Sequence, residues 1–242
     1  MIDVHHVQTP NGHKVTIMLE EVGLEYRTIL YNIFEGKHLI PEFRRINPNR
    51  RLPAIVDHDP VGGGAPLAIF ETGAILQYLA EKTGRFLPVE PRRRYAALQW
   101  LTWQVAGLGP MHGQAHHFVR YCPEPNDYAV NRYRNEARRL LDVMNGRLAE
   151  AEYLAEEYSI ADIACWPWVR AARGIDMDID DLPHLSRWFE AIGKRPAVIA
   201  GAALPADNFQ LKGGSPKSTL TPEQWSIVFG DRLFEAARAV GE

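Results

Sequence analysis

The chain is predicted to begin with an α/β domain of element order β-α-β-α-β-β-α and to continue as an all-α domain. Three observations carry this. Short strand-like apolar runs occur only within the first 70 residues, where they are interleaved with stripes of helical period. Gly62-Gly63-Gly64 separates two such runs, as an antiparallel hairpin requires. Beyond Pro88 and Pro91 the pattern is helical throughout. These boundaries give domains at 1–86 and 92–204 and a C-terminal extension at 205–242.

Residues 2–7 read as a strand, and Gly12 to Val22 as a helix with Val15, Met18, Leu19 and Val22 on one face, stopped by Gly23. Tyr26 to Leu30 is the next strand, and a right-handed crossover makes the two parallel. Pro41 to Ile46 is a short helical turn. Ala54 to Val56 and Leu67 to Phe70 form the hairpin, and Ala74, Ile75, Tyr78 and Leu79 stripe a helix ended by Gly84. The order is that of the thioredoxin-like topology. The helical part is expected at 94–118, at 127–150, from 159 onward and near 182–193. Ser159-Ile160-Ala161-Asp162 reads as a capping box, with Tyr158 and Ile163 placed as a hydrophobic staple, and starts a core helix bearing Trp166 and Trp168. In the extension, Lys212 to Lys217 has linker composition, and Thr221-Pro222-Glu223-Gln224 opens a helix. Its apolar stripe, Trp225, Val228, Phe229, Leu233 and Phe234, is expected to bury itself on its own helical domain or on a partner subunit.

With 27 Lys plus Arg against 30 Asp plus Glu, the chain has no global field to draw nucleic acid or an anionic membrane, and Arg92-Arg93-Arg94 reads as a solvated helix start. The apolar runs are too short to span a bilayer and the first residues resemble no signal peptide, so a cytoplasmic protein is expected. Cys122 and Cys165 lack a Cys-x-x-Cys pairing and read as packing thiols. His112, His116 and His117 have only part of a metal-ligand pattern, with Gly113 and Pro110 weakening the helix. No metal is expected there, and the three are placed at the mouth of the interdomain cleft.

Three segments carry the chemistry. Pro53, at the entry to an apolar strand, cannot donate a ladder hydrogen bond, so Leu52 before it has backbone groups free for another extended chain. Glu71 and Thr72 open the next helix, setting a carboxylate beside backbone N–H groups that have no intrahelical partners. Together these suit a short peptide with an amine and a carboxylate at one end, with a simple helix cap as the lesser reading of Glu71 and Thr72. Thr9 and Asn11 then place a hydroxyl and an amide donor at a helix start whose dipole favours an anion. Either could also cap that helix, and the two roles are compatible.

With Leu52-Pro53 and Glu71-Thr72 on the thioredoxin-like half and a capped core helix on the other, the chain resembles the cytosolic glutathione transferases over residues 1–200. Thr9-Pro10-Asn11-Gly12-His13-Lys14, Pro41-Glu42-Phe43, Asn47-Pro48-Asn49, Gly107-Leu108-Gly109-Pro110-Met111 and Tyr158 to Pro167 narrow the resemblance to the bacterial nu-class branch. Members of that branch reduce disulfides with glutathione and are related to the yeast prion-forming nitrogen regulator. The resemblance implies glutathione as co-substrate, a homodimer and a cis Leu52-Pro53 bond. It further implies that the Leu52 backbone pairs with the cysteinyl part of glutathione, that Glu71 holds the γ-glutamyl amine and that Thr72 receives its carboxylate.

With glutathione as co-substrate, the Thr9 and Asn11 donors at the helix start are read as the catalytic residues, acting on the thiolate of glutathione itself. A thiol of pKa about 8.5 is only about 3% ionised at pH 7, and the family's usual Tyr, Ser or Cys is absent from Gln8-Thr9-Pro10-Asn11. One charge-assisted hydrogen bond and the helix end are asked to supply roughly 2.7 kcal/mol. By resemblance Arg132 anchors the second half of a glutathione disulfide, although it could be an ordinary solvated helix arginine, and His38 stands where the branch commonly has a ligand-contacting glutamine. The expected activity is a glutathione-dependent disulfide-bond reductase or transferase acting on a small thiol, disulfide or electrophile. The alternatives are a non-catalytic glutathione-binding regulator and a glutathione-dependent ether- or halide-cleaving transferase. The apolar-rich helix holding Trp100, Leu101 and Trp103 is the sequence's own contribution to dimerisation.

Overall fold

The structure is a computed structural model and describes residues 1–203 and 220–239. Strand β1 (Ile2–His6) is buried along its whole length, because it runs through the middle of a four-stranded sheet ordered β2-β1-β3-β4. β2 (Tyr26–Leu30) lies parallel to it, with Val4 opposite Thr28. β3 (Ala54–Asp57) lies antiparallel on its other side, and β4 (Leu67–Phe70) completes the hairpin with Ile55 opposite Ile69. The helices of this half are α1 (Pro10–Val22), α2 (Pro41–Ile46) and α3 (Thr72–Thr83). α1 and α3 end where Gly23 and Gly84 adopt φ of 72° and 67°, a left-handed conformation open to glycine at little cost.

The segment expected as one helix over 94–118 is interrupted twice. α4 (Pro91–Trp103) runs into a π-helical turn at Gln104–Leu108, and α5 (Gly109–His116) into a second at His117–Tyr121. Pro110 has no N–H to continue an α-helical ladder and its ring crowds the preceding turn, and the wider π turn accommodates both. α6 (Asp127–Glu150), α7 (Ile160–Ala171) and α8 (Pro183–Gly193) fall where the sequence placed them. The Ser159–Asp162 box is formed, and the buried Asp162 carboxylate also accepts from Leu154 N and from Trp188 Nε1 at 2.8 Å.

One helix was not foreseen, and one expected helix is divided in two. α9 (Pro196–Ala203) is rich in alanine and carries no obvious stripe, yet it lies directly against α1. The helix expected from Thr221 through Phe234 starts with the expected Thr221–Gln224 capping box but breaks at Gly230 into α10 (Pro222–Phe229) and α11 (Asp231–Arg238). The linker expected at 212–217 lies outside the described residues. The extension does not settle on the helical domain alone. Ile227 and Val228 of α10 are buried with Phe34 from a 3-10 turn at Ile33–Glu35 of the α/β domain, while the Phe229 ring meets His117 edge-on and Tyr121 at a tilt, both from the helical domain. Phe234 does not join this contact and is 53% exposed.

Candidate active site

The two domains enclose a cleft of about 830 Å³, and Thr9, Asn11, His38, Leu52, Pro53, Glu71 and Thr72 all line it. Four short segments of the α/β domain converge because the C-terminal ends of β1, β2 and β4 and the N-terminal end of β3 lie at the same end of the sheet.

Thr9 caps α1, its Oγ1 accepting from Gly12 N at 3.3 Å, which leaves the hydroxyl proton free to donate. Asn11 lies in the first turn of α1, and its Oδ1 accepts the indole N–H of Trp168 at 3.0 Å. That bond fixes the amide orientation and leaves the Asn11 NH2 as a donor in the cleft. Leu52-Pro53 is a cis peptide. The Leu52 backbone N–H and C=O make no hydrogen bond among the described residues. Behind them, buried Asn47 ties down the loop by donating from Nδ2 to the Arg51 carbonyl at 2.7 Å.

Glu71 precedes α3 with φ 68° and ψ 120°, a strained backbone for a residue with a side chain. Its carboxylate caps nothing in its own helix and is exposed to the cleft. Thr72 beside it is buried, and its Oγ1 accepts from Lys14 Nζ at 3.2 Å. His38 is buried with Nδ1 unpartnered among the described residues. Burial, aided by the Arg51 guanidinium, lowers its pKa to about 4, so it enters the site as a neutral imidazole.

Arg132 does not join them. It lies on the exposed face of α6, with its nearest carboxylate, Glu136, at 3.8 Å along the same helix, and is absent from the cleft wall. The guanidinium groups that do line the cleft are Arg51, Arg120 and Arg170. Arg120 comes from the second π turn and Arg170 from α7, where its guanidinium lies 5.7 Å from the Trp166 ring. The histidine expectation also needs correction. His116 lines the cleft, but His112 is fully buried with Nδ1 bonded to the Leu108 carbonyl at 2.9 Å, and His117 makes edge-on contacts with the Phe118 and Phe229 rings. Among the described residues no group of three or more His, Cys, Asp and Glu could hold a metal ion. Neither cysteine reaches the cleft. Cys165 is buried, which pushes its thiol pKa well up, and the Cys122 thiol donates to the Glu124 carbonyl.

Sequence reasoning missed Lys14, Gln104 and Trp168. Trp168 had been placed only as core, and no local pattern marks which indole N–H will meet an amide 157 residues away. Lys14, among the apolar positions of α1, was the one available signal.

A thioredoxin-like half and a helical half, with an N-terminal cap, a Leu-Pro turn and a Glu-Thr helix start around one interdomain cleft, define the glutathione S-transferase class. The chain belongs to this family: residues 9–82 match its N-terminal domain model and residues 127–191 its C-terminal domain model. Over 199 residues it is 54% identical to the disulfide-bond oxidoreductase YfcG of Escherichia coli, covering 82% of this chain and 93% of that one. A glutathione transferase from Pseudomonas putida, solved with one glutathione disulfide per subunit, superposes with a TM-score of 0.79 at 41% identity, over 84% of this chain and 91% of that one. One from Burkholderia graminis, with two glutathione molecules per subunit, gives 0.77 at 41% identity, over 85% and 89%.

Proposed function

We propose that the protein is a glutathione-dependent disulfide-bond reductase whose nucleophile is the thiolate of bound glutathione. The observation that carries this is the Asn11 amide, locked by Trp168 so that its donor faces the cleft beside the Thr9 hydroxyl, in a cleft with no cysteine of its own. The γ-glutamyl amine pairs with Glu71, its carboxylate meets Thr72 at the start of α3, and the cysteinyl backbone adds to Leu52 as an extra strand. This brings the sulfur to Thr9 and Asn11, where two hydrogen-bond donors and the helix end favour the anion.

The thiolate attacks one sulfur of a disulfide, forming a glutathione mixed disulfide and expelling the other sulfur as a thiolate that takes up a proton. A second glutathione thiolate attacks the glutathione sulfur of that intermediate, giving glutathione disulfide and the second product thiol. Two glutathiones are oxidised and one disulfide is reduced. Arg120 and Arg170 take the anchoring role expected of Arg132, because a guanidinium fork suits the carboxylate of the second glutathione. The enzyme works as a cytoplasmic homodimer, with half-buried Trp100 and Trp103 of α4 supplying apolar area for the contact. The described helices include none long and apolar enough to cross a membrane.

Two variants test the assignment. Glu71→Ala is expected to lose most of the thermal shift that glutathione induces while keeping the melting temperature of the free protein. The double variant Cys122→Ala, Cys165→Ala is expected to reduce bis(2-hydroxyethyl) disulfide with glutathione at a rate near that of the parent. An equal shift in Glu71→Ala, or a folded double variant without turnover, overturns it.

A further inference from the structure

Lys14 is 2% exposed and forms no ion pair among the described residues. Its ammonium donates to Gln104 Oε1 at 2.6 Å and to Thr72 Oγ1 at 3.2 Å. A buried ammonium without an anionic partner is costly. The ionisable groups acting on it are the exposed Glu71 ahead of α3 and the Cys165 thiol on α7, which burial keeps protonated. From the first π turn it meets the uncharged Gln104, and α9 (Pro196–Ala203) has no ionisable side chain.

Two hydrogen-bond directions follow from the protonated lysine. Thr72 Oγ1 accepts from it, so the Thr72 hydroxyl proton points elsewhere as a donor. Gln104 Oε1 is also taken, leaving Gln104 Nε2 a buried donor with no partner among the described residues. Thr72, Gln104 and Lys14 all line the cleft. A buried cation beside two donors, with no anion paired to it among the described residues, suits an anionic ligand.

We infer that Lys14 is a positioning residue whose counter-ion is the γ-glutamyl carboxylate of bound glutathione, reached through the Thr72 hydroxyl, so that ligand binding and protonation of Lys14 are linked. This rests on the glutathione reading above and adds to it a charge that the motif residues do not contain. Burial lowers the pKa of Lys14 to about 7 in the free protein. A carboxylate arriving at Thr72 raises it, so the complex holds a proton that the free protein has begun to lose. Affinity is therefore highest below about pH 7 and falls as pH rises above it. The cleft histidines His38 and His116, both near 4, stay neutral through that range.

The probe is S-methylglutathione, whose thioether cannot ionise, titrated calorimetrically between pH 6 and pH 8. Its dissociation constant is expected to rise about fivefold or more across that range, with heats at pH 7.5 that depend on the buffer's ionisation enthalpy because protons are taken up. Lys14→Met is expected to bind more weakly at pH 6 and to lose most of the pH dependence. Thr72→Val, which keeps the lysine and removes the relay, should flatten the profile likewise. Binding by the parent protein with a flat profile and buffer-independent heats overturns the role of Lys14 and leaves the glutathione site standing. Absence of binding at any pH overturns both. Because the parent profile alone decides, the test survives a Lys14→Met variant that does not fold.

Discussion

Trp168 donates to Asn11 Oδ1 at 3.0 Å, so the amide proposed to face the reacting sulfur is oriented by an indole from the helical domain. A free asparagine amide presents its oxygen or its nitrogen with similar ease, and only the nitrogen helps a thiolate. Asn11→Ala and Thr9→Ala are each expected to lower turnover by about one to two powers of ten, the scale of one lost oxyanion-type donor. Trp168→Phe keeps the packing and removes the N–H. It should lower kcat about threefold to tenfold at nearly unchanged KM for glutathione, and steady-state kinetics at pH 7 check this. A larger loss in Trp168→Phe than in Asn11→Ala would show that the indole acts by another route. At this scale the sequence was a good guide wherever a side chain's position depends on the neighbouring backbone. Glu71, Thr72 and Leu52 are placed by turns and caps of their own segment. Arg132 was misplaced because an arginine on a helix points by the helix's packing, and α6 turns this one toward solvent and Glu136.

Among elements, α10 shows most clearly how much a local signal determines. Its start was readable from Thr221, Pro222 and Gln224, but its landing place was not, since an apolar stripe states that it will be buried and not against what. It lands across the cleft mouth, giving Val228 and Phe229 to the cleft wall and covering Phe34. Deletion from Thr221 onward removes two buried aliphatic side chains, worth about 1.5–3 kcal/mol each at most. The melting temperature is expected to drop by roughly 5 °C or more, measured by differential scanning fluorimetry with and without glutathione. An unchanged melting temperature would show the α10 contact to be energetically empty. The π turns flanking α5 belong to the same lesson. Pro110 announced a disturbance, whereas its form, a widened turn that carries Gln104 to Lys14, depends on the neighbouring helices.

For the whole molecule, the cleft exists only while the two domains hold their relative position, and the α1–α9 seam helps to hold it together with the packing of α1 and α3 on α7. Thr16 donates to the Gly201 carbonyl at 2.7 Å, and a Cβ on Gly201 would lie 2.6 Å from both the N and the Cα of Ile17. Arg195 adds a two-pronged pair to Glu21 at 2.6 and 2.8 Å, with its guanidinium 3.9 Å from the Tyr158 ring centroid. Gly201→Val is expected to force the helices apart, costing about 1–3 kcal/mol or more, and to weaken glutathione binding although it lies outside the cleft wall. Thermal melts and calorimetric titration with glutathione read both effects, and a variant with parental stability would show that the seam yields easily.

By itself the sequence determined the β-α-β-α-β-β-α order of the first half, the caps at Thr9, Ser159 and Thr221, and the position of Leu52-Pro53 ahead of a strand and of Glu71-Thr72 at a helix start. Each of these depends on backbone geometry and periodicity within about a dozen residues, and such preferences are present before the chain collapses. Only the tertiary structure decided that Lys14 is buried beneath Thr72, that Trp168 orients Asn11, that Arg120 and Arg170 rather than Arg132 reach the cleft, and that α10 spans both domains. Those are contacts between residues far apart in the chain. Their partners are chosen by how whole helices pack on the sheet and on one another, a choice that no local propensity encodes.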